Sequence, residues 1–276
     1  MLREQIELLY SRDLTSINRH EALQVFNELK FFLNNGEIRS AVPSENGWIV
    51  NEWVKKGILL GFRLGELTDV SLDDRFRFYD KSTYPLKKFS LDNQVRIVPG
   101  GSSVRDGSYV AKGVVIMPPS YINTGAYIDE GTMIDSHVLV GSCAQIGKHI
   151  HLSAGTQIGG VLEPIGALPV IVEDEVFIGA NCGIFEGTMI QKRAVLASGV
   201  IITASTPVYD IVNKSVYRSA KEKPLTIPEG AVVVPGSRRI ENDFARSSGL
   251  SVYTPIIIKY RDAGTDAATI LEESLR

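Results

Sequence analysis

Between Val104 and Thr206 an aliphatic side chain returns at every sixth residue, a period that very few folds can use. The positions are Val104, Val110, Ile116, Ile122, Ile128, Ile134, Val140, Ile146, Leu152 and Ile158, then, after a gap, Val172, Ile178, Ile184, Ile190, Leu196 and Ile202. A helix repeats at about 3.6 residues and a flat strand at about 2, so neither yields a hexad. Sustained hexads are the mark of a parallel β-helix. Four residues after each aliphatic comes a small or β-branched residue, such as Ser108, Ala126, Thr132, Thr156, Cys182 or Val200, suited to a second, tighter inward site. Three residues after it stand Gly107, Gly113, Gly125, Gly131, Gly155, Gly187 and Gly199, with His137, His149 and Asn181 at the same phase. That phase is a corner expected to need φ > 0. Each hexad is one short face plus one corner, three faces close a coil, and coils stack about 4.8 Å apart into a prism with an aliphatic interior.

Two interruptions break the prism. Between Ile158 and Val172 eight extra residues must leave the coil within Gly159–Ile171, as a lid over a groove or as a tolerated surface insertion. Pro207 to Pro224 reads as a β-hairpin, Val208–Val212 and Ser215–Arg218 around a turn at Asn213-Lys214. Ahead of the prism, apolar positions from Ile6 to Phe32 recur at three- and four-residue steps up to a stop at Asn34-Asn35-Gly36, and a second helix is expected from Asn51 to Arg63. Trp53, Leu59 and Phe62 are taken as its core contacts. Residues 64–95 show no sustained period. The tail offers a strand, Thr254–Tyr260, and a helix from about Asp266. The expected domains are a helical one over 1–95, the β-helix over 96–240 with loop 159–171 and hairpin 207–224, and an extension over 241–276.

Composition narrows the partners. The net charge of −3, without a long basic run, argues against nucleic acid. The N-terminus MLREQIELLY carries charges where a signal peptide needs an apolar core, and no apolar run is long enough for a membrane span, so a cytoplasmic protein is expected. Cys143 at a corner and Cys182 at an inward phase make neither a disulfide nor a metal pair.

The run Gly125–Asp135 (GAYIDEGTMID), Val140–Lys148 (VGSCAQIGK) and Ile158–Pro164 (IGGVLEP) resembles the bacterial tetrahydrodipicolinate N-succinyltransferases, hexapeptide-repeat acyltransferases of the diaminopimelate and lysine pathway. Trp53–Lys56, Phe62-Arg63, Tyr79–Lys81 and Ile257–Lys259 extend the likeness over nearly the whole chain. The resemblance implies a mainly β fold, a left-handed parallel β-helix of hexapeptide repeats with a small helical N-terminal domain and a C-terminal strand and helix extension. It also implies a homotrimer with sites between subunits. It implies transfer of a succinyl group from succinyl-CoA, a co-substrate with no permanently bound cofactor beside it, to tetrahydrodipicolinate. A related N-acyltransferase using acetyl-CoA or another amino dicarboxylate, and a non-catalytic scaffold, are the other readings.

By the same resemblance Arg96 binds substrate and Asp135 is the active-site aspartate. A dicarboxylate suits a bidentate guanidinium, and an amine attacking a thioester must be positioned and deprotonated. An aspartate near pKa 3.9 abstracts that proton only if desolvated; otherwise it orients the amine. Many family members carry a glutamate where this chain has Gly183, while Glu186 matches a second family glutamate and is the remaining catalytic candidate. His137 is a candidate base beside Asp135, and His149 and His151 complete no zinc triad. For the CoA arm the candidates are Gly199, Ala204, Ser205 and Lys259, with Arg238 and Arg239 as further phosphate partners.

Overall fold

The computed structural model describes residues 1–45, 47–220 and 223–265. The hexads set its architecture: each aliphatic ends a two-residue strand, and the strands stack in parallel into three sheets. The first face begins at Arg96–Ile97 and climbs through Val115–Ile116, Met133–Ile134, His151–Leu152, Phe177–Ile178 and Val195–Leu196. The second face runs Ser103–Val104, Tyr121–Ile122, Leu139–Val140, Gln157–Ile158, Gly183–Ile184 and Ile201–Ile202. The third runs from Tyr109–Val110 through Tyr127–Ile128, Gln145–Ile146, Ile171–Val172 and Met189–Ile190 to Thr226–Ile227. Within the uninterrupted coils partners lie eighteen residues apart, as in Tyr109↔Tyr127, which is one coil of three hexads. The product is a parallel β-helix.

All sixteen hexad aliphatics are buried in one continuous core. The tighter inward positions hold Val114, Ala126, Ala144, Val176 and Val200, together with hydroxyls that return to corner carbonyls. Ser108 Oγ donates to Arg105 O at 2.7 Å, Ser120 Oγ to Met117 O at 2.8 Å and Thr188 Oγ1 to Phe185 O at 2.7 Å. These three hydroxyls meet their bonds because the turn supplies an acceptor three residues back, while Thr132 and Thr156 donate to Gly147 O and Gly179 O of the next coil. Most corners are left-handed as expected, Pro119 and Ser205 being the exceptions. His137, Cys143, His149, Glu175, Asn181 and Arg193 hold φ between 53° and 68°, a conformation that glycine adopts without the Cβ cost.

Helix α1 (Leu2–Ser11), α2 (Arg19–Asn34) and α3 (Glu52–Leu64) pack around Ile6, Phe26, Leu29, Val54, Ile58, Leu60 and Tyr84. The single apolar pattern expected to Phe32 is thus two helices, since Asn18 caps the second by accepting from the N–H groups of His20 and Glu21 at 3.0 and 3.4 Å. Of the three expected core contacts on α3, Trp53 and Phe62 lie half-buried against the rim of the core and Leu59 is half-buried outside it, while Val54, Ile58, Leu60 and Leu64 fill the centre. A hairpin, Ala41–Ser44 and Gly47–Val50, carries Arg39 and Trp48 onto the third face. There the Arg39 guanidinium stacks 3.5 Å from the Tyr127 ring centre and donates to Gln145 Oε1 at 2.8 Å, while Trp48 Nε1 donates to Glu173 Oε1 at 3.1 Å.

Gln145 pairs with Ile171, so the extra residues leave the coil where the spacing places them. They form a strap rather than a free flap. Val161 and Val170 are buried, Leu162 packs on the helical core, and the wholly buried Lys55 on α3 donates from Nζ to Ala167 O at 2.5 Å. The second interruption is the expected hairpin, Val208–Asp210 against Ser215–Tyr217. Two long strands, Ala231–Arg239 and Ser251–Tyr260, then close the first face and project as an arm with a short helix, Asp243–Ser247, at its tip. The C-terminal helix expected from Asp266 lies outside the described residues.

Candidate active site

The helical elements and the hairpin cover the third face, and a second hairpin, Leu67–Asp69 and Tyr79–Lys81, overlies the lower second face beside Ser103 and Tyr121. The first face is exposed at Arg96 and half-exposed at Met133 and Phe177, and the upper second face, half-exposed at Leu139 and Gln157 and exposed at Ile201, is another wall of the prism that reaches solvent. At its lower end a groove of about 350 Å³ is lined by Gly101, Pro119, Ser120, Tyr121, His137 and Gln157. The arm frames its upper end. Pro235 Cγ lies 3.9 Å from where a Cβ on Gly199 would stand, and Tyr253 Oη accepts the Ile201 N–H at 2.7 Å. Ile201 ends the sheet, so that N–H has no strand to pair with, and the tyrosine hydroxyl supplies the missing acceptor.

The opposite edge carries Glu186, at φ 54°, and Ala204 one coil above it. The Glu186 carboxylate accepts the Ala204 N–H at 3.0 Å. Ser205 shares a hydroxyl cluster with Thr203 at 3.0 Å, and Thr203 reaches Thr206 at 2.8 Å. Glu186, Ala204 and Ser205 therefore meet, and Gly199 borders the same coil across the width of the face. At the Gly199 edge Cys182 is buried, its Sγ donating to Ala197 O at 3.2 Å, and burial pushes its thiol pKa up. The other cysteine, Cys143, is also free, and burial pushes it to about 11, so neither is a nucleophile.

Asp135 stands on the edge between first and second faces, half-exposed, with Oδ1 accepting the Ser136 N–H at 2.7 Å. His137 lines the groove two residues on, its N–H donating to Pro119 O at 2.6 Å. Arg96 is exposed on the lowest strand of the first face, two strand spacings, about 10 Å, below the level of Met133. Within one chain Asp135 and Glu186 are not neighbours. They occupy opposite edges of the second face and lie two rungs apart, Leu139 pairing with Gln157 and Gln157 with Gly183. Lys259 is also apart from Ala204 and Ser205: it pairs opposite Val232 at the end of the first face, with Nζ 3.2 Å from Asp262. Arg239 instead lines a cleft of about 690 Å³ at the arm's tip with Arg246, and Arg238 pairs opposite Val252 on the same arm. His151 lies on the first face, stacked on Phe177 with ring centres 5.0 Å apart, away from the upper second face. Among the described residues no cluster of three or more His, Cys, Asp or Glu side chains could hold a metal ion.

Two contributors escape the sequence. Tyr253 sits in a strand with no hexad phase. Phe185 follows an inward aliphatic, yet its ring lies over Gly183: Cε2 is 2.5 Å from where a Cβ there would stand, and Cδ1 is 2.9 Å from the corresponding point on Gly159. The space that a glutamate at position 183 would use is filled by an aromatic ring.

A hexad prism framed by an arm and bearing a carboxylate on a corner N–H has the build of the hexapeptide-repeat acyltransferases. Two family models match: tetrahydrodipicolinate N-succinyltransferase N-terminal over residues 1–64, and hexapeptide repeat of succinyl-transferase over residues 169–204. A 2,3,4,5-tetrahydropyridine-2,6-dicarboxylate N-succinyltransferase of Dechloromonas aromatica is 40% identical across 100% of this chain and 98% of its own. Proteins of that same name from Acinetobacter baylyi and Polynucleobacter asymbioticus are 42% and 44% identical, over 92% and 88% of this chain and 89% and 86% of theirs. The chain belongs to the tetrahydrodipicolinate N-succinyltransferase family.

Proposed function

We propose that this protein transfers the succinyl group of succinyl-CoA to the amino group of ring-opened tetrahydrodipicolinate, a step of diaminopimelate and lysine biosynthesis. The observation that carries the reading is the match to N-succinyltransferases along essentially the full length of both chains. In this reading the CoA arm lies on the upper second face between Gly199 and the Ala204-Ser205 corner. Its phosphates reach the arginines of the arm, Arg238, Arg239 and Arg246, rather than Lys259. Arg96 takes a carboxylate of the acceptor. The amine attacks the thioester carbonyl, its proton passes to Asp135 or is lost as Asp135 orients it, and the CoA thiolate leaves and is protonated. The Ala204 N–H is a fixed donor that an acyl-CoA carbonyl can take once Glu186 withdraws. No bound cofactor takes part.

The separation of Asp135 and Glu186 within one chain supports a homotrimer in which the second face of one subunit meets the Asp135 edge of the next. We place the protein in the cytoplasm; no described helix is long and apolar enough to cross a membrane. The Phe185 ring over Gly183 favours a second reading, an N-acyltransferase for acetyl-CoA or another amino dicarboxylate, because one family carboxylate is missing. Thiol release from succinyl-CoA and acetyl-CoA, with 2-aminopimelate as acceptor, separates the two. Faster turnover with succinyl-CoA, collapsing in Asp135→Asn, is expected. Preference for acetyl-CoA supports the second reading, and no turnover without CoA binding leaves only a scaffold.

A further inference from the structure

We propose that Phe185, seated on the side-chain-free floor of Gly183 and Gly159, limits the length of the acyl group this enzyme accepts. The inference rests on the reading above that the CoA arm lies on the second face between Gly199 and Ala204, and adds that its acyl end points down the wall. Directly below that level the outward positions of the face are Gly183 and Phe185, one coil under Ile201 and Thr203. An acyl chain continuing down the wall by one rung, about 4.8 Å, meets the Phe185 ring.

The ring is held there by its surroundings. Gly183 is buried beneath it, Ile201 Cδ1 lies 3.1 Å from where a Cβ on Gly183 would stand, and the strap crosses the corner on the far side, Leu168 O standing 2.5 Å from the same point on Gly187. The adjoining floor is closed too, since the backbone of Gly159 and Gly160 lies against Gly141 too tightly for any Cβ. The ring therefore has no space to retreat into the wall, and it presents an apolar stop. A stop of this kind discriminates by methylene count, because a carbon too many must displace packed atoms while a carbon too few leaves a void. It also explains the absent side chain at position 183: any Cβ there would push the ring outward across the path of the acyl group.

The test compares acetyl-CoA, succinyl-CoA and glutaryl-CoA as donors to 2-aminopimelate, by kcat/KM and by calorimetric Kd for each thioester, in wild type, Phe185→Ala, Phe185→Leu and Gly183→Ala. Thermal unfolding confirms that each variant is folded, and Phe185→Leu keeps the comparison open if the alanine variant is not. Phe185→Ala is expected to raise the glutaryl-to-succinyl ratio by about tenfold or more, the worth of one methylene in an apolar pocket, with Phe185→Leu intermediate. Gly183→Ala is expected to weaken succinyl-CoA more than acetyl-CoA. Ratios that stay at the wild-type value in folded Phe185 variants, while wild type is active or binds acyl-CoA, overturn the proposal and leave the N-acyltransferase reading intact. A wild type that binds no acyl-CoA overturns both.

Discussion

Glu186 is held by one bond, its carboxylate on the Ala204 N–H, at an exposed corner with a left-handed backbone. A carboxylate so placed is easily displaced by a ligand carbonyl that needs the same donor. Glu186→Gln is therefore expected to lower kcat with succinyl-CoA by about a hundredfold if the released carboxylate assists the amine, in the range of general acid-base groups. A change confined to KM would reduce Glu186 to a plug on the CoA path. A half-buried lysine lies away from the site. Lys87, over a cleft beside Asn34 and Asp106, donates to Asn34 Oδ1 at 2.7 Å, and burial lowers its pKa to about 8. Between that value and the unfolded one, about 10.4, the unfolded chain holds a proton that the folded chain lacks. Stability from Lys87 accordingly rises with pH across that window. Urea midpoints for wild type and Lys87→Met should converge or cross as pH rises from about 8 to about 10.5, the wild type gaining on the variant; parallel curves would count against a buried Lys87.

The strap and the coil behave differently as elements. The coil depends on every rung, so truncating one interior aliphatic, Ile146→Ala, should cost about 2–5 kcal/mol in chemical denaturation. The strap hangs on Lys55, a buried ammonium on one carbonyl, and Lys55→Met should leave global stability nearly unchanged because removing a buried charge offsets losing its bond. The local signature is faster amide exchange over 159–170 in that variant; unchanged exchange there would mean that Val161, Leu162 and Val170 hold the strap unaided. These elements also show what a sequence reveals. The prism was legible to the residue, because each inward aliphatic answers to one period and most corners, Pro119 and Ser205 aside, to a left-handed φ. The break at Asn18 was not, since α1 and α2 share a phase of apolar residues and only a side-chain cap divides them. Phe185 was hidden for a related reason: its backbone position obeys the hexad, while the fold of its ring depends on an empty position two residues earlier.

In the proposed reaction the second face is where the whole molecule would bring its candidate groups together. One chain offers the Asp135 edge and the Glu186 edge on either side of that face, so a site using both carboxylates draws them from neighbouring subunits. Mixing inactive Asp135→Asn and Glu186→Gln proteins under conditions of subunit exchange should then restore activity, to about a quarter of wild type for random assembly of shared sites. Sites confined to single chains would stay silent in every mixture. Asp135, Glu186, Gly199, Ala204 and Ser205 border this face, while Arg96 stands on the first face and Arg238 and Arg239 on the arm; the residues that seal the prism lie inside it or under the helical elements. The most direct test is a crystal structure of the full chain with CoA. We expect the pantetheine on the second face between Gly199 and Ala204, an oxygen of the ligand on the Ala204 N–H, Glu186 swung away and the thiol near Phe185. CoA bound on the first or third face, with Glu186 still on Ala204, would contradict this account of the molecule.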